Sequence, residues 1–156
     1  MNINIMNGRG LWRGITIETK DVVEGYYVYD QARNKHMIYR NEPTTHGLAK
    51  TVLQSYDVIG ETLCPCTGKR DKNGNYIFAY DILQTDSINP ETVLWDDKTA
   101  QWIISNDYTI WTNSIEINAY RKLDDVDLSK VEAIGNKMEK DWEHVKDEPD
   151  AYYTRE

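Results

Sequence analysis

Cysteine, phenylalanine and positive charge are all in short supply in this chain, and no stretch of it stays apolar for long. Cys64 and Cys66 are the only two cysteines in 156 residues. Two residues apart in an extended segment, their side chains share a face but lie too far apart for easy bridging, so no disulfide is expected. A structural zinc would need about two further ligands, and His36, His46 and His144 are scattered without ligand spacing. The expectation is two inert, reduced thiols and no metal. No run approaches the roughly 18 apolar residues that span a bilayer. The opening Met1-Asn2-Ile3-Asn4-Ile5-Met6 lacks the basic region and apolar stretch of a signal peptide. A cytoplasmic address without membrane attachment follows as the expectation.

Lys and Arg number 18 against 26 Asp and Glu, a net charge of -8. A sequence-independent grip on DNA or RNA relies on cations that neutralise phosphates, so this balance argues against nucleic acid as the main partner. Catalytic patterns are absent too: there is no Gly-rich phosphate loop, nucleophile elbow or metal-binding helix motif. The carboxylates Asp96, Asp97, Asp124, Asp125, Asp127, Asp147 and Glu148 fall in loops or near the C-terminus. Adjacent loop carboxylates read as a solvated face rather than an acid–base pair. No catalytic residue, metal ligand or cofactor-binding residue is assigned, and an enzyme is not expected.

What is present is a globular composition, 40% hydrophobic and 28% charged, with 11 Tyr and 5 Trp against one Phe. Amphipathic aromatics suit half-buried sheet positions, where the ring packs and the polar tip reaches water. The length fits one ordinary domain or two very small ones. Residues 1 to 8 read as a ragged start. Residues 22–29, Val-Val-Glu-Gly-Tyr-Tyr-Val-Tyr, form a strand pattern; a polar stretch and then His36 to Tyr39 complete a hairpin. Residues 41 to 48 hold Pro43 and Gly47 among polar neighbours and read as a loop. Residues 50 to 58 lean towards extended structure, although Val52, Leu53 and Tyr56 also have helical spacing.

The sharpest local signal is Asp71-Lys72-Asn73-Gly74, after Cys64 to Arg70 and before Tyr76-Ile77-Phe78. Asn-Gly prefers positive φ at both central positions of a type I′ turn, which predicts a hairpin centred here. A strand then begins at Ala79. Residues 91–95 lead through Asp96-Asp97-Lys98-Thr99 into residues 100–104, a second hairpin with Val93 and Trp95 on one face and Leu94 on the other. Further β-prone stretches cover 108–111 and 114–120. Turns at roughly ten-residue intervals suggest a small barrel or sandwich. Near the C-terminus Met138, Trp142 and Val145 have helical spacing, with Asn136 and Glu139 as a capping box and Ser129 with Glu132 as a competing, earlier start.

Two groups of side chains are candidates for contact with a partner. Lys69, Arg70 and Lys72 make the densest basic spot and lie on the arm and tip of the Asn-Gly hairpin. Such a tip can reach phosphates or an acidic protein, or can be a solvated turn with charges guarding a strand edge. Trp95 and Trp102, with Trp111, can form a stacking platform, but only Lys98 is interleaved with them, which favours packing.

The order Thr67-Gly68, Asp71-Lys72-Asn73-Gly74, Ile77-Phe78, Asp81-Ile82 resembles the T-G-x-x-D-x-x-G-x-x-I-[FY]-E-G-D-I core of the YopX family, small proteins of bacteriophages and prophages. Arg9-Gly10 with Glu24-Gly25-Tyr26 resembles that family's start. Val93 to Trp95 with Asp96 and Trp102 resembles its V-x-W-D hairpin, and residues 131–136 resemble its closing E-V-I-G-N. Where the family has E-G-D this chain has Ala79-Tyr80-Asp81, and the family's usual ending is replaced by Lys137-Met138-Glu139-Lys140. Losing that glycine implies either an ordinary φ or a slight rearrangement. The resemblance makes 131–134 a strand and starts the helix near Asn136.

The resemblance implies a mainly β protein, with an N-terminal β portion over 1–62 and a small SH3-like barrel or roll over 63–136; the helical spacing adds a short C-terminal helix and tail over 137–156. The resemblance carries no catalytic residue across. The expected function is that of an accessory protein of a phage or prophage, a non-enzymatic module that binds a protein partner. The alternatives are an acidic mimic of DNA, or a weak nucleic-acid binder through the Lys69 to Lys72 hairpin. Homo-oligomers through exposed strand edges are compatible with this pattern.

Overall fold

The structure is a computed structural model that describes residues 8–44, 47, 50–106 and 120–139. The chain divides into two compact units, Met1–Cys66 and Thr67–Glu156. Every pairing between the described strands is antiparallel, and the protein is mainly β, as the alternation and turn spacing predict.

The first unit contains β1 (Leu11–Ile15), β2 (Val22–Asp30), β3 (Lys35–Pro43), β4 (Thr51–Val58) and the start of β5 (Cys64–Arg70). Their order across the sheet is β4-β3-β2-β1-β5. The sheet curls until its far strand returns to β1. Ile17 N–H donates to Asp57 O at 2.9 Å, Ile59 N–H donates to Ile15 O at 2.9 Å, and Thr16 bridges Val58. Alternation along β2 turns Val23 and Gly25 inward and leaves Val22, Tyr26 and Val28 exposed. The inner face buries Val23, Ile38 and Val58, with Trp12, Tyr56 and Leu63 packed on them. Gly25 makes the tight curl possible, because a Cβ there would lie 2.3 Å from Tyr39 O and 2.9 Å from Ile38 Cγ2.

The β2–β3 hairpin is where the sequence puts it, and the extended reading of 50–58 matches β4. Two readings need correction. The stretch expected as a loop from 41 is still strand as far as Pro43, whose ring is tolerated because it ends β3 opposite Thr51. β1 was not anticipated; it is short, contains Gly14, and takes its register from Leu11↔Tyr26 to Ile15↔Val22 on its neighbour.

The second unit holds the rest of β5 with β6 (Tyr76–Phe78), then β7 (Asp81–Gln84), β8 (Glu91–Asp96), β9 (Gln101–Asn106), β10 (Tyr120–Lys122) and β11 (Glu132–Asn136). Five of these form a sheet ordered β10-β9-β8-β7-β11. The core of this unit buries Ile77, Leu83, Val93, Ile104, Leu123 and Val131, and Trp102, Val126, Leu128 and Ala133 pack against them. Between β10 and β11 the chain makes two 3-10 turns, Leu123–Asp125 and Leu128–Lys130. Ser129 therefore lies in a short turn capped by Asp127, and the earlier of the two predicted helix starts is not used. Helical residues begin at Lys137, and Asn136 Oδ1 accepts the N–H of Met138 at 2.8 Å. The expected helix beyond Glu139, with Trp142, His144 and Val145, lies outside the described residues, as do His46, Trp111 and the β-prone stretches 108–111 and 114–119.

Candidate functional site

Asp71 opens the turn that the sequence singles out, and it is a buried carboxylate, 6% exposed. Gly74 N–H donates to Asp71 O at 3.0 Å and Asp71 N–H donates to Asn75 O at 2.9 Å. Gly74 alone takes positive φ, 81°, while Lys72 and Asn73 keep ordinary values. The expected type I′ turn is thus corrected to a three-residue loop: a turn of ordinary hand followed by one left-handed glycine. The side chain of Asp71 explains the choice. Its Oδ1 accepts N–H groups from Asn73 at 2.9 Å and Asn75 at 3.0 Å, which wraps the loop around the carboxylate. Its Oδ2 accepts Ala133 N–H on β11 at 3.1 Å. Burial pushes its pKa up, but the amides of Ala133, Asn75 and Asn73 outweigh it and hold the carboxyl below the usual aspartate range.

Ten residues on, Asp81 repeats the device. It is 1% exposed, and its Oδ2 accepts Phe78 N–H at 2.7 Å, closing the turn between β6 and β7. Asn136, at the end of β11, donates its Nδ2 to Asp81 Oδ1 at 2.8 Å and to Ala79 O at 3.1 Å. Ala79 and Tyr80 belong to this turn, so the strand expected from Ala79 starts two residues later. Tyr80, at the family's glycine position, carries φ 65°. The backbone here is left-handed although the residue is not glycine, so the ordinary φ expected as one outcome is not adopted. Two backbone bonds hold it there, Tyr80 N–H to Val93 O and Lys137 N–H to Tyr80 O, both at 2.8 Å.

The cations of the hairpin are all engaged. Lys69 Nζ lies 2.6 Å from Asp124 Oδ1, and Lys72 Nζ lies 3.2 Å from Glu132 Oε2 on β11. Arg70 donates to Tyr76 Oη at 2.6 Å with its guanidinium 4.3 Å from the centre of that ring. The basic run of the sequence is therefore three separate pairings along the hairpin.

Trp95 and Trp102 are brought together as direct cross-strand partners, ring centres 5.0 Å apart and edge to face. They continue the face of Val93 and Ile104; Trp102 packs on the core while Trp95 stays 49% exposed at the hairpin end. Asp96 orders that end by accepting Lys98 N–H at 3.1 Å and the Thr99 hydroxyl at 2.5 Å.

Sequence reasoning missed a further cluster. Glu91, 5% exposed, accepts from Thr85 Oγ1 at 2.6 Å and from Arg121 Nη2 at 2.7 Å, and Arg121 also reaches Asp86 at 2.7 Å. Hydrogen bonds to Glu91, then Asp86, raise the pKa of Arg121, and Arg121 in turn lowers that of Asp86. Glu91 and Arg121 are 30 residues apart, and no local pattern marks the pair. In the first unit, the inner face carries Tyr27, whose hydroxyl lies 2.7 Å from His36 Nδ1 and whose ring lies 5.1 Å from that of Trp12. Cys64 and Cys66 are both buried thiols. Among the described residues no group of three His, Cys, Asp or Glu side chains converges as a metal site, and no helix is long and apolar enough to cross a membrane.

The features that stand out in the sequence therefore serve as brackets: Asp71, Asp81 and Asn136 bind β11 to the turns on either side of β6. This defines a mainly β protein whose diagnostic residues are internal ties rather than groups presented to a substrate. The chain belongs to the YopX family, whose model, described as YopX protein, matches residues 12–140. No curated protein matches it.

Proposed function

We propose that this chain is an accessory protein of a bacteriophage or prophage that acts in the cytoplasm by binding a protein partner, without catalysis. The observation that carries this reading is Trp95, a half-exposed tryptophan on an ordered hairpin end, braced edge to face by Trp102. A large ring held in place before contact loses little entropy on binding, which is why tryptophan recurs as an anchor of protein interfaces. The engagement of Lys69, Arg70 and Lys72 within the fold supports a protein over a nucleic acid, since phosphate contact would have to displace those partners. Ion pairs such as Arg13–Glu24, Lys35–Asp57, Arg40–Glu42 and Arg121–Glu91 intersperse both signs of charge in each unit, which weighs against a DNA mimic.

The test is affinity capture from host lysate with the wild-type chain and Trp95→Ala, beside titration with a single-stranded oligonucleotide. The expected result is a protein retained by the wild type and lost with Trp95→Ala while the circular dichroism spectrum is unchanged. Saturable oligonucleotide binding with no retained protein overturns the reading.

A further inference from the structure

Strand β4 ends the first unit's sheet, and its outer edge is occupied along only part of its length. The bonds from Ile17 to Asp57 and from Ile59 to Ile15 show that the odd-numbered residues of β4 direct their N–H and C=O groups away from β3. Alternation carries this back along the strand, so Thr51, Leu53 and Ser55 point their backbone groups outward. Among the described residues no backbone group bonds to that side of 51–55. The side chains from Thr51 to Gln54 are exposed, Leu53 at 61% and Val52 at 47%. Proteins usually guard such an edge with Lys, Pro or an inward charge, but residues 51–55, Thr-Val-Leu-Gln-Ser, hold none.

We infer that this edge is where a second copy of the chain adds to the sheet, β4 against β4, antiparallel about a twofold axis at Leu53. Three observations select the occupant and the register. Ile17 blocks the edge at Asp57, so a pairing centred further along the strand would collide with it, whereas the Leu53 centre uses only 51–55. That register pairs Leu53 with itself, Thr51 with Ser55 and Val52 with Gln54, so an uncharged segment meets itself without like charges opposed. At its margins Lys50 of each copy comes opposite the neutral Tyr56 of the other, so the nearest cation meets no like charge. Reciprocal contact of one patch with itself is the geometry of a closed dimer. The ladder is short against a standard interface of about 1,600 Å², so the dimer is expected to be weak and concentration-dependent.

Sedimentation from about 10 μM to about 1 mM protein tests this. The expected result is a monomer–dimer equilibrium that Leu53→Lys weakens at least about tenfold by opposing two ammonium groups across the axis. The register is read by oxidative cross-linking, with the native thiols protected by burial. Paired Cα atoms lie about 5.5 Å apart in such a ladder, within disulfide reach. Leu53→Cys and the double variant Thr51→Cys/Ser55→Cys should form covalent dimers, and Thr51→Cys or Ser55→Cys alone should not. A monomer throughout the range, which would leave the edge to a strand of another protein, overturns the inference. A dimer indifferent to Leu53→Lys, or one whose cross-links follow another pattern, overturns it equally.

Discussion

The two units solve one problem, holding a small sheet together, by different means. The first does it with backbone geometry. Its sheet curls until β4 bonds the end of β1, its buried centre is three aliphatic side chains, and the step that permits the curl is the missing side chain of Gly25. The second does it with polar side chains. Six aliphatic residues fill its centre, and Asp71, Asp81 and Asn136 tie strand ends and turns to one another. A sheet curled by backbone geometry leaves few marks in a sequence, while one tied by buried carboxylates leaves a string of unusual residues at fixed spacing. That difference is why the densest run of recognisable residues lies in the second unit.

The largest effect separating the two is expected at Gly25. Gly25→Ala forces a Cβ against the carbonyl of Tyr39, with no flexible neighbour able to give way there, and should destabilise the first unit by about 3 kcal/mol or more. Denaturant titration followed by Trp12 fluorescence checks this; an unchanged midpoint would break the contrast. In the second unit, Asp71→Ala should cost about 2–4 kcal/mol, since it orphans the amides of Asn73, Asn75 and Ala133. The same carboxyl predicts a pH dependence. Its folded pKa is depressed, so its contribution is fully present above the unfolded aspartate value of about 3.9 and is lost as the pH falls through the lower folded value. Acid unfolding of the second unit should be shallower in Asp71→Asn than in the wild type. An identical slope would assign acid sensitivity elsewhere.

A smaller effect belongs to Tyr80. Replacing it by alanine or glycine removes the same ring, but only glycine relieves the left-handed backbone, so Tyr80→Gly should exceed Tyr80→Ala in stability by about 1 kcal/mol. Equal midpoints would mean that the surrounding bonds impose no strain. The smallest effect is expected at Lys72, whose ion pair with Glu132 is exposed on both sides. Lys72→Ala should change stability by less than about 0.5 kcal/mol, and that little should vanish in high salt.

The contrast also explains what could be read from the residues alone. Hairpins announced by local chemistry were legible: residues 22–39, the Asp71 turn and the Trp95–Trp102 pair all lie where alternation and turn residues put them. The form of the Asp71 turn was not, because Asn-Gly preferences describe an isolated hairpin. Here the carboxylate draws the loop inward to meet β11, 62 residues downstream. β1 and the end of β3 were illegible for a related reason: their pairing is decided by neighbours across the sheet, and Gly14 and Pro43 weaken the local signal. Of the candidate contact residues, the basic run looked continuous because the sequence does not show that Asp124 and Glu132 lie beside it. The Glu91–Arg121 pair was invisible altogether, since neither residue is remarkable where it stands.

The bond between Asp71 and Ala133 bears on the order in which the protein matures as it is made. Residues up to Cys66, which make up the first unit, leave the ribosome before the rest of the chain. The Asp71 loop can turn at once, but one of its carboxylate oxygens must wait for an amide supplied 62 residues later, and Asp81 must wait 55 residues for Asn136. A ribosome stalled before that point would therefore display the Asp71 hairpin still lacking its last strand.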